Sequence, residues 1–78
     1  MTDQEKLYDA VAKAFNVPVE SLTPETRFTD DLHARSRNMY MVAAVIEEIT
    51  GKTITYPMIH NYKTLGEMTE YMEKMKEE

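Results

Sequence analysis

Ser36 is the residue whose type and position best suit chemistry, because it stands at the start of a predicted helix between Arg35 and Arg37. A serine hydroxyl can be esterified, and guanidinium groups bind phosphate or carboxylate oxygens in a bidentate manner. The two arginines could therefore bind an acidic partner, while the position of Ser36 alone favours an N-cap. Two plainer readings stay open: Ser36 is an N-cap, and both arginines point into water and contribute nothing measurable.

Other combinations of reactive side chains are weaker. His33 lies close to Ser36 and could serve as its base in a small hydrolase, but no third orienting group is indicated. His33 and His60 lack the spacing of metal ligands, and we expect no metal site. Asp30 and Asp31 are adjacent carboxylates, and we expect them to belong to a solvent-exposed loop. We therefore expect no catalytic residues.

Sequence signals for helix ends predict the helices and the loop that position Ser36. Thr2 and Glu5 have capping-box spacing, and the first helix should end near Asn16. Its apolar face should be Leu7, Val11, Ala14 and Phe15. A loop over residues 18–35 should be pinned to the helices by Val19, Leu22, Phe28 and Leu32. The second helix should run from Ser36 to Thr50 and close at Gly51, with an apolar stripe of Val42, Val45, Ile46 and Ile49.

The remaining chain predicts two more helices. A short third helix is expected over residues 58–61, after Pro57. The last helix should begin with the capping-box pair Thr64 and Glu67, bury Leu65, Met68, Met72 and Met75, and fray over residues 74–78. In the run Met39, Tyr40, Met41 at least one side chain must be exposed, since one helix cannot face all three inward.

Composition limits the possible functions. The 78 residues have room for one core, so we expect one domain over residues 1–78. The net charge of −5 disfavours nucleic acid as a partner. The chain has no cysteine, and no apolar run indicates a signal peptide or membrane span. We expect a cytoplasmic monomer with no membrane partner.

The order of the predicted helices resembles that of an acyl carrier protein, and so do several residues along the chain. Phe28, Asp31, Leu32, Ala34 and Ser36 are similar to the segment that leads into that family's modified serine. The likeness continues downstream through Val45, Glu47, Glu48, Gly51, Ile54, Thr64, Leu65, Tyr71 and Met72. The resemblance implies an all-α, irregular four-helix bundle with a long loop between helices I and II and a short helix III.

The same resemblance implies a function without catalysis. A phosphopantetheinyl transferase would attach phosphopantetheine to Ser36, and Arg35 and Arg37 could bind the phosphate of this arm. An acyl or aminoacyl cargo would be held on the arm as a thioester. Acyl-transferring or acyl-ligating enzymes would be the other partners. The helix II surface around Arg37, Met41, Glu47 and Glu48 would dock them, and the apolar interior would shelter the cargo.

The chain departs from the family pattern around the serine. Arg35 replaces an acidic residue, Arg37 replaces a leucine and His33 replaces a glycine, while Asn38 and Met41 stand where acids are usual. Partners that recognise acidic residues around the serine should bind this protein poorly. A dedicated set of enzymes in a specialised lipid or secondary-metabolite pathway is therefore expected. The alternative is an unmodified interaction module that keeps the fold.

Overall fold

A computed structural model describes residues 2–54 and 62–77 of the protein. Within these ranges it contains three α-helices and one 3-10 turn. They are α1 (Asp3–Phe15), the 3-10 turn (Val19–Ser21), α2 (Ser36–Thr50) and α3 (Leu65–Glu77). Over these ranges the architecture is all-α, as predicted, with one isolated bridge between Arg27 and Thr64. The short helix expected over residues 58–61 lies outside the described residues.

Helix α1 begins and ends at the predicted signals. The Thr2 hydroxyl accepts the Glu5 N–H at 3.1 Å, and the Glu5 carboxylate accepts the Thr2 N–H at 3.3 Å. Asn16 closes the helix in the left-handed region with φ 56°. Leu7 and Val11 are fully buried, while Ala14 and Phe15 pack half-buried at the edge of the core.

Helix α2 lies against α1 with its start at the end of α1, because the Asn38 side-chain amide donates to the Ala14 carbonyl at 2.8 Å. Gly51 ends it with φ 72°, and its N–H donates to the Glu47 carbonyl at 2.7 Å. A residue with a Cβ would be strained at such a φ, which is why glycine closes this helix. Its buried residues are Met39, Val42, Ala43 and Ile46, whereas Val45 and Ile49 of the predicted stripe are half-buried.

Helix α3 completes the core. Thr64 accepts the Glu67 N–H at 3.2 Å, and the Glu67 carboxylate accepts the Lys63 N–H at 2.8 Å. All four predicted core residues, Leu65, Met68, Met72 and Met75, are buried. The expected fraying is wrong up to Glu77, because the Lys76 ammonium forms an ion pair with Asp3 at the start of α1.

The loop over residues 22–35 is fastened to the start of α3 by its backbone. Phe28 N–H donates to Lys63, Leu65 N–H to Thr26, and Gly66 N–H to Pro24, at 3.0, 2.9 and 2.9 Å. Leu22 and Phe28 are buried and Leu32 is half-buried, as predicted. Val19 is 40% exposed and lies beside Tyr8 of α1, so it meets that helix at the surface and not in the core.

Candidate functional site

Ser36 is the first residue of α2 and is exposed to solvent. The N-cap reading of Ser36 is wrong, because Arg35 occupies the cap position with φ −118° and ψ 164°. An arginine side chain carries only donors and cannot accept the helix N–H groups. Asn38 instead turns its side-chain oxygen back to the Arg35 N–H at 3.1 Å. The Ser36 hydroxyl is exposed and has no hydrogen-bond partner among residues 2–54 and 62–77.

The backbone around Ser36 presents donors to an anion. The first helical bond of α2 runs from the Met39 N–H to the Arg35 carbonyl at 3.1 Å. The N–H groups of Ser36, Arg37 and Asn38 precede it and therefore face out of the helix end. Together with the helix dipole they form a site of positive potential, where a phosphate is stabilised by about 0.3–1 kcal/mol.

The charges on α2 oppose its dipole at both ends. The first turn contains no acidic residue, and the exposed Arg35 and Arg37 flank Ser36. The last turn contains no basic residue, and Glu47 and Glu48 lie there. Cations at a helix start and anions at its end are each unfavourable, so an added negative charge at Ser36 would relieve the first of these conflicts. The residues present thus fit a phosphate group.

A tight turn positions the start of α2. Ala34 N–H donates to the Phe28 carbonyl at 2.8 Å, and His33 N–H donates to the Thr29 carbonyl at 3.1 Å. Phe28 is buried, with its ring centroid 6.2 Å from that of Phe15, so the turn is anchored in the core. His33 adopts φ 54°, the left-handed region that favours glycine.

The remaining candidates for chemistry have structural roles or lack partners. Asp31 accepts the Arg27 N–H at 2.8 Å, and Asp30 pairs with the Arg27 guanidinium at 3.2 Å. In the part of the chain that the structure describes, no hydrogen bond joins Ser36 to His33, so the hydrolase hypothesis gains no support. Within the same ranges no group of His, Asp and Glu residues is arranged to hold a metal. His60 lies outside the described residues.

The outer surface of α2 carries two parallel rows of side chains, since residues four apart share a helix face. One row contains Ser36, Tyr40 and Glu47, and the other contains Arg37, Met41 and Glu48. Tyr40 is 57% and Met41 47% exposed, Glu48 is exposed and Glu47 is half-buried. Arg37, Met41 and Glu48 thus lie along one row of α2, with about 16 Å of helix rise between Arg37 and Glu48, and Glu47 lies on the neighbouring row.

In the run Met39, Tyr40, Met41 the last two side chains are exposed, as predicted, but Tyr40 had no predicted role at the site. Its position one turn after Ser36 places it beside the serine, and the spacing alone could have indicated this.

Each helix in the described part of the chain is too short or too polar to span a bilayer.

Comparison with known proteins identifies the family. Residues 5–72 match the family described as "Phosphopantetheine attachment site". The chain is 32% identical over 66 residues to an acyl carrier protein of Acidothermus cellulolyticus, covering 85% of this chain and 79% of that protein. It is 28% identical over 72 residues to meromycolate extension acyl carrier proteins of Mycolicibacterium aurum and Mycolicibacterium smegmatis, covering 92% of this chain and 74% and 73% of theirs.

Acyl carrier proteins hold a covalently attached phosphopantetheine group, and they interact with a phosphopantetheinyl transferase and with acyl-handling enzymes. They are carriers and not enzymes. With an all-α architecture and a family match that spans most of its length, the chain belongs to the acyl carrier proteins and is itself a phosphopantetheine-dependent carrier.

Proposed function

We propose that Ser36 is the attachment residue and that Arg35 and Arg37 hold the phosphate of the arm. The observation that carries this proposal is the exposed, unbonded hydroxyl at the start of α2, beside three outward N–H groups. When attached, the arm supplies a terminal thiol that holds cargo as a thioester. Ser21, the only other serine, has its hydroxyl engaged with the Pro18 carbonyl at 2.7 Å, which makes it the weaker candidate.

The attachment step uses the Ser36 hydroxyl as the nucleophile. Its oxygen forms a bond to the phosphorus that joins the pantetheine half of coenzyme A to the nucleotide half. The bond from that phosphorus to the nucleotide half breaks, and the hydroxyl proton passes to a base of the transferase. The two guanidinium groups and the start of α2 stabilise the single negative charge that stays on the new phosphodiester.

The partner surface in this proposal is the outer face of α2, formed by Arg37, Met41, Glu47 and Glu48. Arg37 lies at the serine end of this face and the two glutamates lie at its far end. A complementary enzyme would place acidic groups near Ser36 and basic groups toward Gly51, with an apolar contact over Met41 between them. An enzyme with a uniformly basic docking surface would be repelled at Arg37.

The cargo in this proposal is an acyl group of a specialised lipid or secondary-metabolite pathway. Two of the relatives reported above are named for meromycolate extension, which supports a lipid rather than an aminoacyl cargo. The reversed charge at the serine supports a dedicated set of enzymes, because housekeeping partners that read acids there would dock poorly.

The test is attachment in vitro. Purified protein is incubated with coenzyme A and a broad-specificity phosphopantetheinyl transferase and weighed intact. The expected result is one phosphopantetheine increment on the wild type and on Ser21→Ala, and none on Ser36→Ala. If several transferases leave the wild type unmodified, the attachment proposal fails and the interaction-module alternative takes its place.

A further inference from the structure

A small surface pocket lies where α1 meets the 3-10 turn. Its volume is about 260 Å³, and it is lined by Gln4, Glu5, Tyr8 and Asp9 of α1 together with Val19 of the turn. This volume is below the range of small-molecule sites and is comparable to that of one long side chain. The pocket therefore suits a single anchoring side chain of a partner protein.

The apolar wall of the pocket is formed by Tyr8 and Val19. Val19 is 40% exposed, and the other large apolar residues that are exposed in the described chain, Tyr40 and Met41, lie on α2. Tyr8 is half-buried and packs against the core, so its ring is held in place. A fixed tyrosine ring gives a partner a large contact area at low cost in conformational entropy.

The polar wall of the pocket is acidic. Glu5 and Asp9 lie four residues apart on α1, so their carboxylates share one face of the helix. Asp9 is paired with Lys13 at 3.0 Å, while the Glu5 carboxylate accepts the Thr2 N–H at 3.3 Å and keeps its charge. Glu20, in the turn, is exposed and forms no ion pair within residues 2–54 and 62–77. None of the described residues that line the pocket is basic.

An arginine side chain matches both walls. Its methylene stem can lie against Val19, and its planar guanidinium group can stack on the face of the Tyr8 ring. In that position the guanidinium group can donate to the Glu5 carboxylate, in a charge-assisted pair. Lysine has no planar group to stack and makes the poorer match. The net charge of −5 favours encounter with a basic segment.

The pocket faces away from α2. Tyr8 and Ala10 lie on nearly opposite sides of α1, because residues two apart are turned by about 200° around a helix. Ala10 and Met41 line a separate cavity between α1 and α2, and Asp9, on the ridge between the two, lines both. A partner segment in the pocket therefore leaves the α2 surface that begins at Ser36 accessible.

We propose that this pocket is a second docking surface, which binds an arginine side chain from a basic segment of a partner protein. The proposal is independent of attachment at Ser36. A partner held here would stay at high effective concentration beside the carrier while the α2 surface remains open to enzymes.

The experiment titrates the isotope-labelled, unmodified chain with a blocked peptide that has a central arginine flanked by leucines. The matched peptide carries citrulline, which has nearly the same shape and no charge. Amide chemical shifts should change most at Glu5, Tyr8, Asp9 and Val19. The citrulline peptide should bind about tenfold more weakly, because the charge-assisted pair is lost.

Substitutions separate the two walls of the pocket. Glu5→Gln removes one charge and keeps the capping box, since glutamine also serves at this position, and it should weaken binding several-fold. Glu25→Gln, at an exposed site of the loop outside the pocket, changes the net charge equally and should leave binding intact. Tyr8→Leu keeps an apolar side chain, removes the ring and should also weaken binding. If Tyr8→Leu does not fold, the exposed Glu5 decides the outcome.

Several results would overturn the proposal. Equal binding of the arginine and citrulline peptides would show that the contact is only apolar. Equal weakening by Glu5→Gln and Glu25→Gln would show that the net charge alone attracts the peptide. Shift changes centred on α2 or on Tyr62 and Tyr71 would place the peptide elsewhere. Self-association of the peptide-free chain that Glu5→Gln abolishes, measured by sedimentation, would identify a second copy as the occupant instead.

Discussion

His33 holds the backbone in a left-handed conformation three residues before Ser36, with φ 54°. A non-glycine residue there is strained by about 1–2 kcal/mol, although histidine tolerates the region better than β-branched residues do. The His33 side chain is exposed, so it offers little packing in return. The turn is nevertheless fixed, because the N–H groups of His33 and Ala34 are both bonded to the loop.

His33→Gly should therefore stabilise the protein, by about 0.5–1 kcal/mol after the greater freedom of glycine in the unfolded chain is subtracted. Urea unfolding at neutral pH measures the change. Asn16→Gly is the matched control, with φ 56° at a residue type that adopts this conformation readily, and it should gain less. A loss of stability in His33→Gly would show that the imidazole makes a stabilising contact.

Among the contacts between elements, the loop before α2 approaches the start of α3 most closely at Gly66. Gly66 in the first turn of α3 donates its N–H to the Pro24 carbonyl at 2.9 Å. A Cβ at Gly66 would lie 2.9 Å from that same oxygen and 3.2 Å from the Pro24 Cβ. Glycine is required here because two backbones approach closely, and not because of its φ.

Gly66→Ala should accordingly destabilise the protein by about 1–2 kcal/mol, even though alanine is the better helix former by about 1 kcal/mol. The loop must shift to admit the methyl group, so amide shifts over residues 22–28 should change together with the urea midpoint. Gly51→Ala makes a useful comparison, because a Cβ there meets open space and only the φ of 72° is strained. Gly51→Ala should leave the loop resonances in place; if Gly66→Ala does so too, the close approach is not a constraint.

The ends of the helices were predictable from the sequence because their signals are local. Thr2 with Glu5, Thr64 with Glu67, and Gly51 each act within four residues. The missed features join distant residues. Nothing near Lys76 indicates Asp3 as its partner, and local patterns do not reveal that Phe28 pairs with Lys63.

The candidate site shows the same division. The position of Ser36 at the start of α2 followed from local pattern and resemblance. Its N-cap role did not hold, because Asn38 serves the Arg35 N–H and also reaches Ala14 of α1, a contact across the fold. Helix spacing alone would have separated Glu47 from Glu48, since residues next to each other do not share a face.

At the scale of the whole molecule, one ion pair joins the two ends of the described chain. The hydrogen bond from Lys76 is the main cause that lowers the pKa of Asp3, and the same bond to Asp3 raises the pKa of Lys76. A carboxyl group with a lowered pKa stabilises the fold at neutral pH and loses that contribution as the pH falls through its folded pKa. An ammonium with a raised pKa loses its contribution as the pH rises through its folded pKa.

The stability difference between wild type and Asp3→Asn should therefore be present near pH 7 and shrink below about pH 4 and above about pH 10. Thermal unfolding over this pH range, with both proteins in one buffer series, measures it. The control is Asp9→Asn, which removes the ion pair between Asp9 and Lys13, two residues of the same helix. A difference for Asp3→Asn that stays constant from acid to neutral pH would contradict the assignment.

Attachment at Ser36 would change the stability of a protein that is already acidic. A phosphodiester adds one negative charge to a net charge of −5, which by itself favours unfolding. Screening limits that repulsion, because the Debye length is about 8 Å at physiological ionic strength and the molecule extends 30 × 27 × 18 Å. The start of α2 and the flanking arginines lie within that distance, so the local attraction should exceed the distributed repulsion.

We therefore expect the phosphopantetheine form to be more stable than the unmodified form by about 0.5–1 kcal/mol, measured by urea unfolding of both forms. Arg37→Gln should affect the two forms differently. It should slightly stabilise the unmodified protein, where Arg37 opposes the helix dipole, and it should reduce the gain on attachment. Arg27→Gln, which removes an arginine paired with Asp30, should leave that gain intact. An equal gain in both variants would show that Arg37 does not contact the phosphate and that the helix end alone holds it.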